Sequence, residues 1–336
     1  MVESEKANRG PMCFHATVQP GEAVYQSHTC ILVPNAHHLV LNKGNRIEAY
    51  TIGGNDCENG AKMSLLATFV VPGWANIIGV DRTADEVSMS DEQSVDSIVI
   101  LTKANRLFAI QLNPQTNQLE MIGQADLSET ASRPPKRPIL LLRDGIAICH
   151  VSMGLLKLVN VRTFPKTGRH LTKAVTVVRI SDLSIQDAVL CGNRLLVLTR
   201  RASQETIIKH YLVPEHTRTG SSTNKTVVID DTVGELQLDV ASPGYRVIPY
   251  SETTSEDNGY LILTTDHVLY HDPSRAVKIG RTVGSVVFEA VTGVEPGRFV
   301  AIDCDGMLYS VQVDGQRAEV QVDRLGRMGR GNSLSY

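Results

Sequence analysis

Short apolar runs separated by turn residues recur along the whole chain, and the apolar spacing of an amphipathic helix is nearly absent. Each recurring unit predicts a strand, a turn, a second strand, a tight turn and a third strand. In residues 133–161, a basic and proline-rich segment leads into a long apolar run that is broken at Asp144-Gly145 and at Met153-Gly154. Glycines at this spacing disfavour a helix and are typical of turns between strands. We therefore predict that this stretch forms one set of short antiparallel strands entered by an exposed loop.

The unit occurs six times, and the distance between copies is long. The second strand of each copy is predicted to start near His38, Ser97, Ile146, Leu195, Tyr260 and Phe299, on average about 52 residues apart. The turn at Lys43-Gly44-Asn45-Arg46 has a near copy at Lys103-Ala104-Asn105-Arg106, and Gly192–Leu195 resembles a shortened third copy. A long repeat with three or four strands per copy predicts an all-β fold, a β-propeller formed by a single domain.

The number of blades follows less directly from the pattern. Six copies are clear, and weaker strand signals in residues 63–80 and 180–190 would supply a further blade. We favour seven blades and keep six as the alternative. A pair of β-sandwiches is the second choice of fold, although it would not explain the repeated turn.

The domain boundaries follow from composition. Residues 1–20 are predicted to be a flexible N-terminal segment, residues 21–322 the propeller, and residues 323–336 a disordered tail rich in Gly and Arg. Within that tail, Arg324, Arg327 and Arg330 recur every three residues, and we interpret them as flexible solubilising charge or a weak anion contact, not as a defined site.

Composition and charge narrow the range of functions. The 336 residues carry a net charge of -3, so the chain has no overall basic field for a nucleic-acid backbone. No two of the six cysteines lie within four positions of each other, which argues against a zinc knuckle or a CxxC redox motif. Cys149 and Cys191 lie in apolar strands and are expected to be buried free thiols. With no apolar signal region or membrane-length apolar run, we expect a reducing intracellular compartment and no membrane association.

No motif for catalysis or cofactor binding stands out. Nucleophile-elbow, phosphate-loop, dinucleotide-binding and zinc-protease motifs are absent from the sequence. The adjacent His37 and His38 should point to opposite faces of one strand, so they should not share a metal ion. Asp303 and Asp305 resemble paired carboxylates, although Asp-Gly turn chemistry accounts for Asp305. We therefore predict no enzyme activity, no metal, no cofactor and no small-molecule substrate.

The basic loop offers a possible contact surface. Arg133, Lys136 and Arg137 alternate with three prolines that hold an extended, solvated conformation. The loop is either plain solvated surface or a site for an acidic segment or a phosphate backbone, because a stiff loop loses little entropy on binding.

Several segments resemble one known family in the same order along the chain. The segments are N-R-I-E-A-Y at Asn45–Tyr50, I-L-T at Ile100–Thr102, S-R-P at Ser132–Pro134, and the hairpin GRFVAIDCDGMLYSVQV. They are similar to the N-terminal propeller of the family that contains damaged-DNA-binding protein 1. The same family includes the large subunit of the cleavage and polyadenylation specificity factor and a splicing factor 3b subunit. The likeness covers most of residues 20–315, and the adaptor branch fits best.

The resemblance implies a non-enzymatic scaffold, as in the adaptor of cullin-RING ubiquitin ligases that is linked to the DNA damage response. There the first of three propellers forms half of a clamp around a partner's short helix. If this single propeller were complete, it would not bridge a cullin and a receptor. Expected partners are ligase substrate receptors or other propeller subunits, with indirect nucleic-acid association, in the nucleus and cytoplasm. The candidate contact residues are Arg133, Lys136, Arg137, Asp303, Asp305, Met307 and Leu308.

Three alternatives remain open at this stage. One is a propeller that organises an mRNA 3′-end processing or splicing complex. Another is a propeller hydrolase with its site on the central channel, although no converging acids or histidines are in register. The last is a basic peptide- or phosphate-binding module, which only the basic loop supports.

Overall fold

A computed structural model describes the following residues of the chain, to which all structural statements here refer. They are 23–53, 62–81, 95–128, 135, 138–143, 145–163, 176–180, 184–191, 193–201, 203, 205–215, 217, 227–229, 231–238, 243–250, 259–272, 277–282, 284, 286–314 and 319–327. The predicted N-terminal segment 1–20 lies outside them.

The described strands form six sheets, which we number as blades 1 to 6. Blade 1 contains β1 (Gln26–Val33), β2 (Ala36–Asn42), β3 (Arg46–Gly53) and β4 (Lys62–Val70). Blade 2 contains β5 (Ala75–Asp81), β6 (Ser97–Thr102), β7 (Arg106–Asn113) and β8 (Gln118–Asp126). Blade 3 contains β9 (Leu140–Arg143), β10 (Ile146–Ser152), β11 (Leu155–Asn160) and β12 (Thr176–Arg179), and a short 3-10 helix (Val161–Thr163) follows β11.

The other three blades follow in chain order. Blade 4 contains β13 (Ser184–Cys191), β14 (Arg194–Arg200), β15 (Thr206–Leu212) and β17 (Gly234–Gln237). Blade 5 contains β18 (Gly244–Pro249), β19 (Tyr260–Thr264), β20 (His267–Asp272) and β21 (Val277–Thr282). Blade 6 contains β22 (Phe288–Glu295), β23 (Arg298–Asp303), β24 (Met307–Asp314) and β25 (Glu319–Arg327).

Each blade is an antiparallel meander, and one strand departs from the pattern. Strand β16 (Val227–Ile229) lies between β15 and β17 in the sequence, yet it pairs in parallel with β12. Blade 3 therefore has five strands, and the chain of blade 4 contributes one of them. This exchange ties two neighbouring blades together through backbone hydrogen bonds.

The prediction of an all-β propeller is confirmed, and the six predicted second strands are all found. Each begins within two residues of its predicted start, as the second strand of its sheet. The reason is burial on both faces: every residue of β10 and of β19 is buried. Because both faces of such a strand are buried, its sequence is a continuous apolar run, which is easy to recognise. The turns predicted at Gly145 and Gly154 are also present, with φ of 75° and 72°.

The favoured number of seven blades was wrong, because the described strands form six sheets. The two weak signals that suggested a further blade belong to strands of existing blades. Residues 63–80 supply the outer strand β4 of blade 1 and the inner strand β5 of blade 2, and residues 184–190 lie in β13 of blade 4. Inner and outer strands are less uniformly buried than second strands, so their weaker signal resembled an incomplete copy.

The hydrophobic core is divided into five clusters, each lying between two successive blades. Within the described residues, no such cluster joins blade 6 to blade 1. Each junction also has a polar contact near the inner strands. The contacts are Ile78 N to Gln26 Oε1 (2.7 Å), Arg162 Nε to Asp81 Oδ2 (3.5 Å), Arg143 to Leu190 O (2.9 Å), Val247 N to Asp187 Oδ2 (3.0 Å) and Phe288 N to the Tyr245 hydroxyl (2.8 Å).

The up-and-down order of the strands separates two rims. The turns between second and third strands lie at the same rim as the connections from one blade to the next. We call this the BC rim, and we call the opposite one, with the turns between first and second strands, the AB rim. Backbone bonds from Ala75 to Gly44 (2.7 Å) and from Ile180 to Gly154 (2.8 Å) join inter-blade connections to BC-rim turns.

Strand β25 runs to Arg327, beyond the predicted propeller boundary at residue 322. The rest of the predicted tail, residues 328–336, lies outside the described residues. No helix in the described part of the chain is long and apolar enough to cross a membrane.

Candidate protein-interaction site

Four of the seven predicted contact residues lie in one hairpin of blade 6, formed by β23 and β24 at the BC rim. Asp303 is the last residue of β23, and its Oδ1 accepts hydrogen bonds from the backbone N–H groups of Asp305 and Met307, both at 2.9 Å. Its Oδ2 accepts a third bond from the Tyr309 hydroxyl at 3.0 Å. Asp303 therefore shapes the turn, and its carboxylate is already occupied.

The electrostatics of Asp303 agree with a structural role. Burial, the largest single effect, favours the neutral acid, but the donated bonds from Met307, Tyr309 and Asp305 together outweigh it and lower the pKa of Asp303. A carboxylate held ionised by its own turn is poorly suited to act as a general acid. The interpretation of Asp303 and Asp305 as paired catalytic carboxylates therefore has no support here.

The remaining hairpin residues differ in what they present to solvent. Met307 is buried, and its Sδ accepts a hydrogen bond from Arg324 Nε at 2.8 Å. Leu308 is half-buried and Asp305 is exposed. Of the four predicted hairpin residues, Asp305 and Leu308 can thus contact a partner directly, whereas Asp303 and Met307 support the turn from beneath.

The interpretation of Arg324 and Arg327 as flexible charge was wrong. Both lie in β25, and Arg327 Nε donates to the backbone oxygen of Asp305 at 3.4 Å. The Gly-rich composition around them resembled a disordered tail. Pairing of β25 with β24 orders this segment, and that pairing cannot be seen in the local sequence.

Sequence reasoning also missed two exposed apolar side chains beside the hairpin. Leu325 is 59% exposed, and Val287, just before β22, is 43% exposed. Leu308 pairs with Gly326 while Tyr309 pairs with Arg324, so Leu325 is the extra residue of a β-bulge. A bulge redirects a side chain away from the sheet, and here it turns a leucine towards solvent. An isolated leucine between two arginines was the only sequence signal.

The other three predicted contact residues, Arg133, Lys136 and Arg137, lie outside the described residues. Their segment connects the end of β8 to the start of β9, and both of these strand ends are at the BC rim. The strands that it connects belong to blades 2 and 3, whereas the hairpin belongs to blade 6.

A buried His–Tyr pair between blades 4 and 5 is the other arrangement that could suggest chemistry. His210 Nε2 lies 3.2 Å from the Tyr260 hydroxyl, and neither residue is exposed. Burial lowers the pKa of His210 to about 4 and raises the pKa of Tyr260. Cys191 belongs to the same packed cluster, and burial raises its pKa to about 11. The group is neutral and sealed inside the core, as expected for a packing contact.

The adjacent histidines and the cysteines behave as predicted. His38 is buried and its pKa is lowered by burial, whereas His37 is exposed, so the two rings lie on opposite faces of β2. Cys149 and Cys191 are buried free thiols. None of these four side chains contributes to the exposed surface at the BC rim. A different cysteine, Cys304, is an exposed free thiol in the blade 6 turn at that rim.

Six radially successive sheets with an exposed apolar and charged surface at one rim place this chain in the class of β-propeller interaction domains. The chain belongs to the RSE1/DDB1/CPSF1 first beta-propeller family, whose model matches residues 24–336. This match confirms the resemblance seen in the sequence. A comparison with curated proteins gave no match. The family is one of propeller scaffolds.

Proposed function

We propose that this protein is a non-enzymatic interaction scaffold that holds a segment of a partner protein against the BC rim of blade 6. The observation that carries the proposal is the pair of exposed apolar side chains, Leu325 and Val287, beside a hairpin whose turn is internally hydrogen-bonded. Exposed apolar groups on a rigid support are typical of interaction sites, because binding them costs little conformational entropy.

Charge around the hairpin supports a peptide partner. Asp305, Arg324 and Arg327 are exposed next to the apolar groups and carry both signs. Val287 and Leu325 lie on opposite sides of the hairpin, beside the inner and outer strands of blade 6, so a short amphipathic segment that crosses the hairpin would place apolar side chains on both. Arg133, Lys136 and Arg137 remain proposed contributors to partner binding at the same rim.

Within the family, we propose the adaptor role, in which the propeller holds substrate receptors of a ubiquitin ligase in the nucleus and cytoplasm. The free thiols of the described cysteines are compatible with a reducing compartment. The second candidate is a scaffold of mRNA 3′-end processing or splicing, because the matched family model covers that branch as well.

The test is affinity purification of the tagged chain from its native cells, followed by mass spectrometry. Replacing Leu325 and Val287 by Asp should remove the partners. The matched control replaces Val33 and Val294 by Asp, since these are 37% and 40% exposed and lie at the AB rim. Ligase receptors would support the adaptor role, and polyadenylation or splicing subunits would support the second candidate. Equal recovery of partners by both variants would disprove binding at blade 6.

A further inference from the structure

The connection between blades 1 and 2 is a short segment fixed between two turns of the BC rim. Val71 and Ala75 donate backbone hydrogen bonds of 2.9 and 2.7 Å to the turn that follows β2. At the other side, Trp74 accepts a bond of 3.0 Å from the backbone N–H of Lys103, in the turn that follows β6. The segment is thus anchored to both blades, and its backbone needs no ordering on binding.

The Trp74 side chain is held in place by the same two turns. Its ring lies directly against Gly44, where a Cβ atom would overlap it. Tyr25 contacts it edge-on, with ring centroids 5.7 Å apart, and Lys103 Nζ lies 4.8 Å from the ring centroid. A cation at this distance from an indole is attracted by the ring. Both the ring and the lysine therefore have defined positions.

Apolar surface is exposed around this ring. Val70, at the end of β4, is 74% exposed, and Tyr25 is 55% exposed. Pro72 is exposed and Trp74 is half-buried. Val70 is the most exposed of the large hydrophobic residues in the described part of the chain. Several apolar groups gathered at one place on a rim indicate a contact surface.

The charges beside this surface are positive. Lys103 and Arg106 are exposed, and among the described residues no carboxylate forms an ion pair with either. Asp126 lies opposite Arg106 in the sheet. Its carboxylate accepts bonds from the backbone and hydroxyl of Ser128, at 3.0 and 2.6 Å, and the charge of Arg106 adds a smaller contribution that also lowers the pKa of Asp126. A local pair of cations in a chain of net charge -3 favours an acidic partner.

We propose that the surface formed by Tyr25, Val70, Pro72, Trp74, Lys103 and Arg106, here named the Trp74 patch, binds an acidic peptide segment of a partner protein. An apolar side chain of the peptide lies on Val70 and Pro72, and carboxylates on either side of it pair with Lys103 and Arg106.

A peptide fits this surface better than a single-stranded nucleic acid does. Stacking of bases requires an open aromatic face. Trp74 has Gly44 and Lys103 against its ring, and Tyr25 meets it at an interplanar angle of 72° instead of forming a parallel platform. The proposal is independent of the proposed function, because the Trp74 patch and the blade 6 hairpin share no residue.

The chain contains a single tryptophan, so tryptophan emission, excited at a wavelength where tyrosine does not absorb, reports on the Trp74 patch alone. The probes are synthetic ten-residue peptides that lack tryptophan: acetyl-EELFEELFEE-amide, its leucine-only version EELLEELLEE, and EEGSEEGSEE, which has no apolar anchor. The reversed-charge peptide KKLFKKLFKK and a ten-nucleotide uridine RNA complete the set. We expect saturable changes in Trp74 emission with the first two peptides only, and weaker binding at higher salt.

The binding variant replaces Lys103 and Arg106 by Glu. The control replaces Arg194 and Arg298 by Glu. These two residues are also exposed cations and lie at the AB rim, where Arg298 pairs with Glu295. We expect at least tenfold weaker peptide binding for the first variant and unchanged binding for the control, with equal thermal unfolding of the two. Failure of both anchored peptides to bind, or equal binding by the two variants, would overturn the proposal. Binding of the RNA without the peptides would also overturn it and identify a nucleic-acid site. Partner recovery through Leu325 and Val287 is measured separately, so either proposal can fail alone.

Discussion

Blades 1 and 2 carry the same kind of turn between their second and third strands, but the cations of the two turns have different surroundings. In blade 1, Glu48 binds both cations: its carboxylate oxygens lie 2.7 Å from Lys43 Nζ and 2.7 Å from Arg46 Nε. It also accepts a bond of 2.6 Å from the Tyr50 hydroxyl. In blade 2, the position of Glu48 is taken by Phe108, which is buried in the core towards blade 1.

The cations of a repeated turn can therefore be paired within the sheet in one blade and exposed to solvent in the next. The two turns also differ in backbone. In blade 1 the left-handed residue is Gly44 with φ of 81°, whereas in blade 2 it is Asn105 with φ of 55°. Asn105 uses its side chain to donate a hydrogen bond of 3.0 Å to Val151 O in blade 3. The second turn is therefore anchored without neutralising Lys103 and Arg106.

The largest expected effect comes from the residue that replaces Glu48 in blade 2. Phe108→Ala should reduce the free energy of unfolding by about 3–5 kcal/mol, because it leaves a cavity in a packed core. Denaturant unfolding followed by circular dichroism measures this. The exposed Arg106→Ala on the same strand should change stability by less than about 0.5 kcal/mol. Similar losses for the two variants would mean that Phe108 is not a core residue.

The next largest effect is expected at Glu48 itself. Glu48→Ala should cost about 3 kcal/mol, because Lys43 and Arg46 then face each other without their shared carboxylate. The side chains of both cations are partly exposed, so solvent keeps the loss near the lower end for a buried pair. A double variant, Glu48→Ala with Lys43→Met, should recover part of the loss. If Glu48→Ala alone were neutral, the contrast between the two turns would disappear.

The same carboxylate predicts a pH dependence. Burial is the largest effect on Glu48 and favours its neutral form, but bonds from Lys43, Tyr50 and Arg46 lower its pKa to about 2, from 4.5. Because the folded pKa lies below the unfolded one, the stabilisation is complete above pH 4.5 and is lost as the pH falls towards 2. At pH 3 the stabilisation that has been lost amounts to about 2 kcal/mol.

The measurement is denaturant unfolding between pH 7 and pH 3, for the native chain and for Glu48→Gln. The native chain should lose about 2 kcal/mol more than the variant over this range, since glutamine does not titrate. Equal pH dependence of the two proteins would show that Glu48 keeps an ordinary pKa.

The smallest effect is expected from exchanging the second residue of the turn. Gly44→Ala should cost about 1–2 kcal/mol, since φ of 81° is strained for alanine and the new Cβ would overlap the Trp74 ring. The reverse change in blade 2, Ala104→Gly, should cost about 0.4–1 kcal/mol, because it only adds freedom to the unfolded chain. Displacement of the ring should also shift the emission of Trp74 in Gly44→Ala. An unshifted spectrum would contradict the contact between Gly44 and Trp74.

Prediction from sequence succeeded where local patterns coincide with burial. The second strands, such as β10 and β19, were located because both of their faces are sealed. The assignment of blade number failed because β4 and β5 are less completely buried and gave only a partial signal. At the candidate site, Asp305 is exposed in the rim hairpin, and its contact with a partner stays a prediction. Asp303 was not recognised as a turn-forming residue, because its three donors become neighbours only when the hairpin closes.

The sequence by itself determined the fold class, the repeated strand units and the family, because each depends on residue types at fixed spacing along the chain. Tertiary structure decided in which copy of the turn the cations are paired with a carboxylate and in which copy they are exposed. The Lys and Arg of the turn are both paired with Glu48 in blade 1, whereas in blade 2 the corresponding Lys103 lies over the Trp74 ring. It also turned Leu325 outward through a bulge and ordered Arg324 by strand pairing. These outcomes depend on contacts between blades and strands, and the energy of such contacts is set by residues that are distant in sequence.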